Sequence, residues 1–187
     1  EWSPPVSVCG NRRALFLCKF AIIGRYENIM KNVDQMKEIL SANKRRELIP
    51  AFLSLIEMEW PSVLPFVKRQ LQDSFSSEEN TVSSTYFLLV GGEPAGLIQT
   101  SPKEYIQHRK DLFPCIGPLF VAQRFRGNGF GEKLLAKARF ELGRKGFDSA
   151  YFTSDHIGFY EKYGCREIGL DLYENGRPVK VYTCGTF

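Results

Sequence analysis

Residues 119–131 read Leu-Phe-Val-Ala-Gln-Arg-Phe-Arg-Gly-Asn-Gly-Phe-Gly. Three glycines, Gly127, Gly129 and Gly131, fall within five residues. An apolar stretch precedes them and a segment of helical periodicity follows. The first amides of a helix have no partner inside it, and they lie at the positive end of the helix dipole. Glycines at such a junction remove Cβ atoms and let a ligand approach the backbone closely. The combination makes a cradle for phosphate oxygens, with Arg124 and Arg126 adding charge nearby. A glycine-rich tight turn with no ligand would show the same residues, so the glycines alone leave both readings open. Two nucleotide motifs are excluded. Gly131-Glu132-Lys133-Leu134 does not supply the Gly-Lys-Ser/Thr end of a Walker A loop, and the spacing of Gly127, Gly129 and Gly131 is not G-x-G-x-x-G.

The elements that must hold this turn follow from periodicity. Residues 115–121 read as a strand broken by Gly117-Pro118, which implies an edge or a bulge. Residues 129–143 read as a helix with Phe130, Leu134, Leu135, Ala138 and Leu142 on one face. Upstream, residues 14–23 suggest a strand and 32–40 a weak helix. Residues 45–59 predict a helix with Leu48, Phe52, Leu55 and Ile56 as its stripe, ended by Pro61. A further helix is expected at 64–75 and a polar loop at 76–84. Residues 86–90 and 95–100, joined by Gly91-Gly92-Glu93-Pro94, predict a hairpin. Residues 101–111 are polar and ambiguous. Downstream, strands are expected at 150–153, 166–173 and 179–184, a short helix at 157–162, and a hairpin turn at Asn175-Gly176. The class is α/β or α+β, in one domain.

Arg126-x-x-Gly129-x-Gly131, led by Leu119-x-Val121 and Phe125-Arg126-Gly127, resembles the R/Q-x-x-G-x-G/A cofactor motif of the GNAT superfamily of acetyl-CoA-dependent N-acyltransferases. A second block, Phe159-Tyr160-Glu161-Lys162-Tyr163-Gly164-Cys165, resembles that family's F-Y-x-K-x-G-F, with Cys165 in place of the last Phe. The blocks cover roughly residues 115–170. Residues 109–114 and 153–160 also resemble bacterial GNAT proteins of undefined substrate.

The resemblance implies a mixed, mostly antiparallel sheet flanked by helices, with two central strands, here 115–121 and 149–153, splayed around acetyl-CoA. It implies that backbone groups of Leu119, Phe120 and Val121 hold the pantetheine arm. It implies that the amides from Arg126 through Gly127, Asn128, Gly129 and Phe130 to Gly131 hold the pyrophosphate, with Phe159 and Lys162 also on the cofactor. The implied reaction is direct attack of a primary amine of a small molecule on the acetyl group in a ternary complex. Tyr160 is then the general acid that protonates the leaving thiolate. The strand 115–121 has no carboxylate, although some family members carry a Glu there. Asp155 is the first candidate for the general base, with Asp111, Glu57, Glu59 and His156 as others. Alternative readings are acetylation of a peptide or protein N-terminus, and a CoA-binding regulatory module without catalysis.

Composition narrows the partners. The chain has 187 residues, a net charge of +4, 43% apolar and 25% charged residues, ordinary for one globular domain. Its Lys and Arg are not clustered as a nucleic-acid surface requires, and the mild excess suits an anionic small ligand. Cys9, Cys18, Cys115, Cys165 and Cys184 show no CxxC spacing, and there are only two histidines. Neither a disulfide framework nor a metal centre is expected, and a cytoplasmic setting follows. The apolar run 14–23 is too short to span a bilayer, so no membrane partner is expected. Residues 1–29 are expected to be an N-terminal extension or a first strand, since Met30 offers an alternative start, and residues 30–187 the catalytic domain. The expected assembly is a monomer or homodimer.

Overall fold

The apolar, β-branched and aromatic residues around Tyr86 and Ile98 pair as the expected hairpin at the heart of a sheet. In the computed structural model, which describes residues 37–76 and 82–187, this hairpin is β2 (Ser84–Val90) and β3 (Glu93–Ser101). It turns at Gly91 and Gly92, whose φ angles are 59° and 81°. The other strands are β1 (Lys37–Ser41), β4 (Cys115–Val121), β5 (Ser149–Ser154), β6 (Arg166–Leu172) and β7 (Pro178–Gly185). They form one seven-stranded sheet of order β1-β2-β3-β4-β5-β7-β6. Every neighbouring pair is antiparallel except β4 and β5.

Helices cover both faces. α1 (Ile49–Glu59) and α2 (Leu64–Ser76) lie on one side, and α3 (Phe130–Arg144) on the other. The α1/α2 side buries Phe52, Ile56, Val67 and Leu71 against Phe87, Leu97 and Phe120 of the sheet. The rings of Phe52 and Phe87 stack at 4.1 Å, and truncating either to Ala costs on the order of 3–5 kcal/mol. Phe130, Leu134, Leu135, Ala138 and Leu142 of α3 are all buried, as the sequence pattern predicts. They pack against Ile98, Ile116, Phe152 and Tyr182.

Three expectations change and a fourth, left open between two readings, is resolved. Residues 37–41 are a strand rather than the end of a weak helix. Ile39 then points to the α3 side and Leu40 to the α1/α2 side, as the period of two requires. Pairing along β2 from Lys37–Val90 to Ser41–Tyr86 overrides the local helical pattern. The helix expected from residue 45 begins at Ile49, after a 3-10 turn at Arg46–Leu48, with Pro50 in its first turn. The helix expected at 157–162 is reduced to a 3-10 turn at Glu161–Tyr163, because Gly158 is left-handed at φ 76°. Proline 118 marks a bulge, not a sheet edge. Between the pairs Ile98–Leu119 and Thr100–Ile116, β4 carries one residue more than β3. The strand expected at 14–23, and residues 32–36, lie outside the described residues.

The bulge matters for what comes next. β4 and β5 meet at a single register pair, Cys115–Tyr151, with the Tyr151 amide donating to Pro114 O at 3.0 Å. Beyond it the two strands part. The segment between β3 and β4, ambiguous in sequence, is tied across the diverging half of the sheet. Ile106 bridges to Tyr173 and the Gln107 amide donates to Leu172 O at 2.8 Å. The buried carboxylate of Asp171 accepts from the amides of His108, Arg109 and Leu172 and from His108 Nδ1. Burial alone would raise its pKa. These donors outweigh burial and hold it well below the usual carboxylate range.

Candidate active site

The glycine turn sits where β4 stops and α3 starts, at the mouth of the opening between β4 and β5. Gly127 and Gly129 have φ angles of 80° and 72°, a region costly for other residues. A Cβ on Gly127 would meet nothing within 4 Å, and one on Gly129 only Glu132 Oε2 at 4.0 Å. Both positions therefore face open space. The first helical bond of α3 runs from the Lys133 amide to Gly129 O at 3.3 Å. The N-cap Gly129 makes no side-chain cap bond, so the amides of Phe130, Gly131 and Glu132 point out of the helix end without an intrahelical partner. Asn128 Nδ2 donates to Phe125 O and Arg126 O, both at 3.1 Å, which fixes the turn. The ammonium groups of Lys37 and Lys133 lie 5.3 and 5.9 Å from the Phe130 ring centroid and add positive charge near the first turn.

The arginines divide. Arg126 Nε donates to Val121 O at 2.9 Å, while Arg124 pairs with Glu93 at 2.8 Å. Backbone alternation along β4 is informative. The Ala122 amide donates to Ala95 O of β3, so by the period of two the polar groups of Phe120 also face β3. Those of Leu119 and Val121 face the opening, and Phe120 contributes a buried ring to the α1/α2 core instead.

Gly131 has a different role from its two neighbours. A Cβ there would stand 2.9 Å from Phe159 Cζ and 3.7 Å from Leu119 Cδ2. The two sequence blocks thus meet in space, with the Phe159 ring lying against the first turn of α3. Phe159 in turn touches Tyr160 and Tyr163, with centroids 4.9 and 5.3 Å away. Lys162 is exposed on the adjacent 3-10 turn.

Tyr160 is buried on the α3 side, tilted against Phe152 at 4.5 Å and Tyr182 at 5.8 Å. Burial pushes its phenol up to about 12, against a hydrogen bond with Ser154 that lowers it. It is therefore a proton donor throughout the neutral range. The loop that carries it is fixed by Tyr182, whose hydroxyl reaches Glu161 Oε1 at 3.1 Å and His156 O at 3.3 Å.

The carboxylates singled out in the sequence are scattered. Asp155 is exposed and paired with Arg177. Glu59 accepts from the Gln123 amide at 2.7 Å and lies 4.0 Å from Arg126, pinning α1 to the end of β4. Glu57, Asp111 and His156 are exposed. A residue not singled out occupies the fork itself. Thr153 Oγ1 donates to Glu104 Oε2 at 3.4 Å and lies 3.3 Å from Tyr173 Oη. A Cβ on Gly117, just past the last β4–β5 pair, would lie 4.0 Å from Glu104 Oε1. Burial raises the Glu104 carboxyl to about 7, opposed by the amides of Thr153 and Tyr105 and the Thr153 hydroxyl. Its one visible signal in the sequence is the pair Ile106 and Leu112, apolar anchors within a polar segment, both buried. Among the described residues, no group of three or more His, Cys, Asp or Glu could hold a metal ion, and no helix is long and apolar enough to cross a membrane.

The stretch that holds the fork and the uncapped helix start, residues 82–167, matches the family model for the acetyltransferase (GNAT) domain. Solved structures agree in fold. An aminoglycoside 6'-N-acetyltransferase complexed with coenzyme A superposes with TM-score 0.60 at 17% identity, over 79% of this chain and 96% of that one. The aminoglycoside 6'-N-acetyltransferase from Enterococcus faecium gives 0.59 at 17%, over 79% and 96%. The ribosomal-protein-S18-alanine N-acetyltransferase from Escherichia coli gives 0.57 at 15%, over 81% and 94%. No curated protein matches the chain.

Proposed function

We propose that this protein transfers the acetyl group of acetyl-CoA to a primary amine of a small molecule, by direct attack within a ternary complex. The observation that carries the reading is the uncapped start of α3 at the end of β4, beside strand backbone that faces away from β3; the protonated phenol of Tyr160 supports it. The amides of Phe130, Gly131 and Glu132 bind the pyrophosphate, with Arg126, Gly127, Asn128 and Gly129 shaping the cradle. The Leu119 and Val121 backbone groups bind the pantetheine amides, and Phe159 and Lys162 flank the cofactor. Tyr160 gives its proton to the sulfur as the C–S bond breaks, which is the contribution a general acid makes. The likeness to the aminoglycoside acetyltransferases supports a small polar amine as acceptor.

The test has two parts. Calorimetry with CoA is expected to show micromolar binding. Thiol release from acetyl-CoA is then followed with kanamycin, spermidine, tryptamine and an Ala-initiated hexapeptide. Turnover with one of the small amines is the expected result. Turnover with the hexapeptide alone would move the acceptor class to peptide N-termini. CoA binding without any turnover would make the domain a CoA-binding module.

A further inference from the structure

We infer that Glu104 is the general base of the acetyl transfer, taking the proton of the acceptor amine at the fork between β4 and β5. This rests on the acetyltransferase reading above. The geometry has three parts. First, the Glu104 carboxyl reaches the fork from the β3–β4 segment, beside Gly117 and in contact with Thr153. Gly117 and Thr153 each lie two residues past the Cys115–Tyr151 pair, where the strands part. Secondly, the residue is half-buried, and among the described residues no Lys or Arg pairs with it. Thirdly, it approaches from the side opposite Tyr160. Its neighbour Tyr105 packs on Phe66 of α2 at 5.2 Å, with Arg69 at 5.3 Å, whereas Tyr160 belongs to the core under α3. Base and acid thus flank the fork from opposite sides, the arrangement a direct attack needs.

The fixed surroundings explain why this carboxyl serves. Asp171 and the Ile106–Tyr173 bridge lock the segment that carries it. The ionisable groups that face it are the phenols of Tyr105, Tyr160 and Tyr173 and the thiol of Cys115, each of which is held protonated partly by the Glu104 charge. Their own shifts are all upward, so Glu104 is the group of this cluster that ionises near neutrality. In the step, the amine nitrogen bonds the acetyl carbon and its surplus proton passes to the Glu104 carboxylate. The C–S bond breaks and the sulfur takes the Tyr160 proton. Protonated Glu104 and the Tyr160 phenolate then return to their resting forms by proton exchange through solvent, so no proton is gained or lost.

Two readouts test this. The first uses protein labelled with carboxyl-13C glutamate and compares wild type with Glu104→Gln, so that the Glu104 resonance is assigned by its loss. Its midpoint is expected near 7, and a midpoint near 4.5 would overturn the proposal. The second is the pH profile of kcat/KM for acetyl-CoA with tryptamine. Wild type is expected to show an acidic limb with a midpoint near 7. Glu104→Gln is expected to be about a hundredfold slower at pH 7 and to lack that limb, with its CoA affinity unchanged by calorimetry. A merely structural role would lower the rate and leave the limb in place, which would also overturn it. Failure of wild type to bind CoA would remove the acetyltransferase reading and this proposal together, whereas normal CoA affinity with an unchanged limb removes this proposal alone.

Discussion

Replacing Glu104 by Gln should make the protein more stable at pH 8 while making it a worse enzyme. The carboxyl ionises near 4.5 in an unfolded chain and at about 7 in the fold, chiefly because burial disfavours its charge. A folded-state value above the unfolded one means that, between these limits, the native state holds the proton more tightly. Stability from this group is therefore complete below about pH 4.5 and is lost as pH rises through 7. At about 1.4 kcal/mol per unit, the full loss approaches about 3 kcal/mol, of which about 2 to 3 kcal/mol falls between pH 5 and pH 8. Gln has nearly the same shape and no charge, so it escapes that loss. Urea unfolding of both proteins at pH 5 and pH 8 measures it. The stability of Glu104→Gln relative to wild type should rise by about 2 to 3 kcal/mol between the two pH values, equivalent to about 4–12 °C in Tm for a domain of this size. A relative stability that is the same at both pH values, or that falls, would refute the reasoning, because the buried carboxyl would then ionise as it does in water.

Tyr160→Phe should lower kcat by about a hundredfold and leave CoA affinity intact, since the ring still packs on Phe152 at 4.5 Å. Steady-state kinetics beside calorimetry decide it, and a rate within about twofold of wild type would reduce Tyr160 to packing. Asp171→Ala should destabilise by roughly 3 kcal/mol or more, because three amides and the His108 ring lose a buried charged acceptor. Urea unfolding measures it, and a change below about 0.5 kcal/mol would mean the 106–110 segment is held by other contacts. A chain beginning at Met30 keeps the whole of β1. We expect it to melt cooperatively and to be stabilised by acetyl-CoA as the full chain is, whereas precipitation would assign residues 1–29 to the fold.

Much of this organisation was legible because it rests on local rules. The α3 face from Phe130 to Leu142 follows the helical period, and Gly91-Gly92 between two apolar runs announces a hairpin. The turn before α3 is visible because three glycines within five residues precede a run of helical period. Other features depend on pairing between distant segments. Lys37–Ser41 is a strand because β2 offers it a partner, which no window of its own sequence reveals. Pro118 could be read as a bulge or an edge, and only the register with β3 separates them. Gly131 looks like Gly129 in sequence, yet one makes room for Phe159 and the other for backbone curvature. Glu104 escaped notice because its neighbours give it no periodicity. Its place at the fork comes from Asp171, 67 residues away along the chain, holding the segment from the far side.

The central claim is that the turn from Arg126 to Gly131 binds the pyrophosphate of CoA. Isothermal titration of CoA into wild type, Gly129→Glu and Gly129→Asn tests it most directly. Asn tolerates the left-handed φ of 72° at this position and controls for backbone strain. A Glu side chain there would fill the open space before the helix amides and set a negative charge against the phosphates. The account predicts micromolar binding by wild type, binding by Gly129→Asn within about tenfold of it, and no detectable binding by Gly129→Glu. Equal affinity in wild type and a folded Gly129→Glu protein would contradict the account.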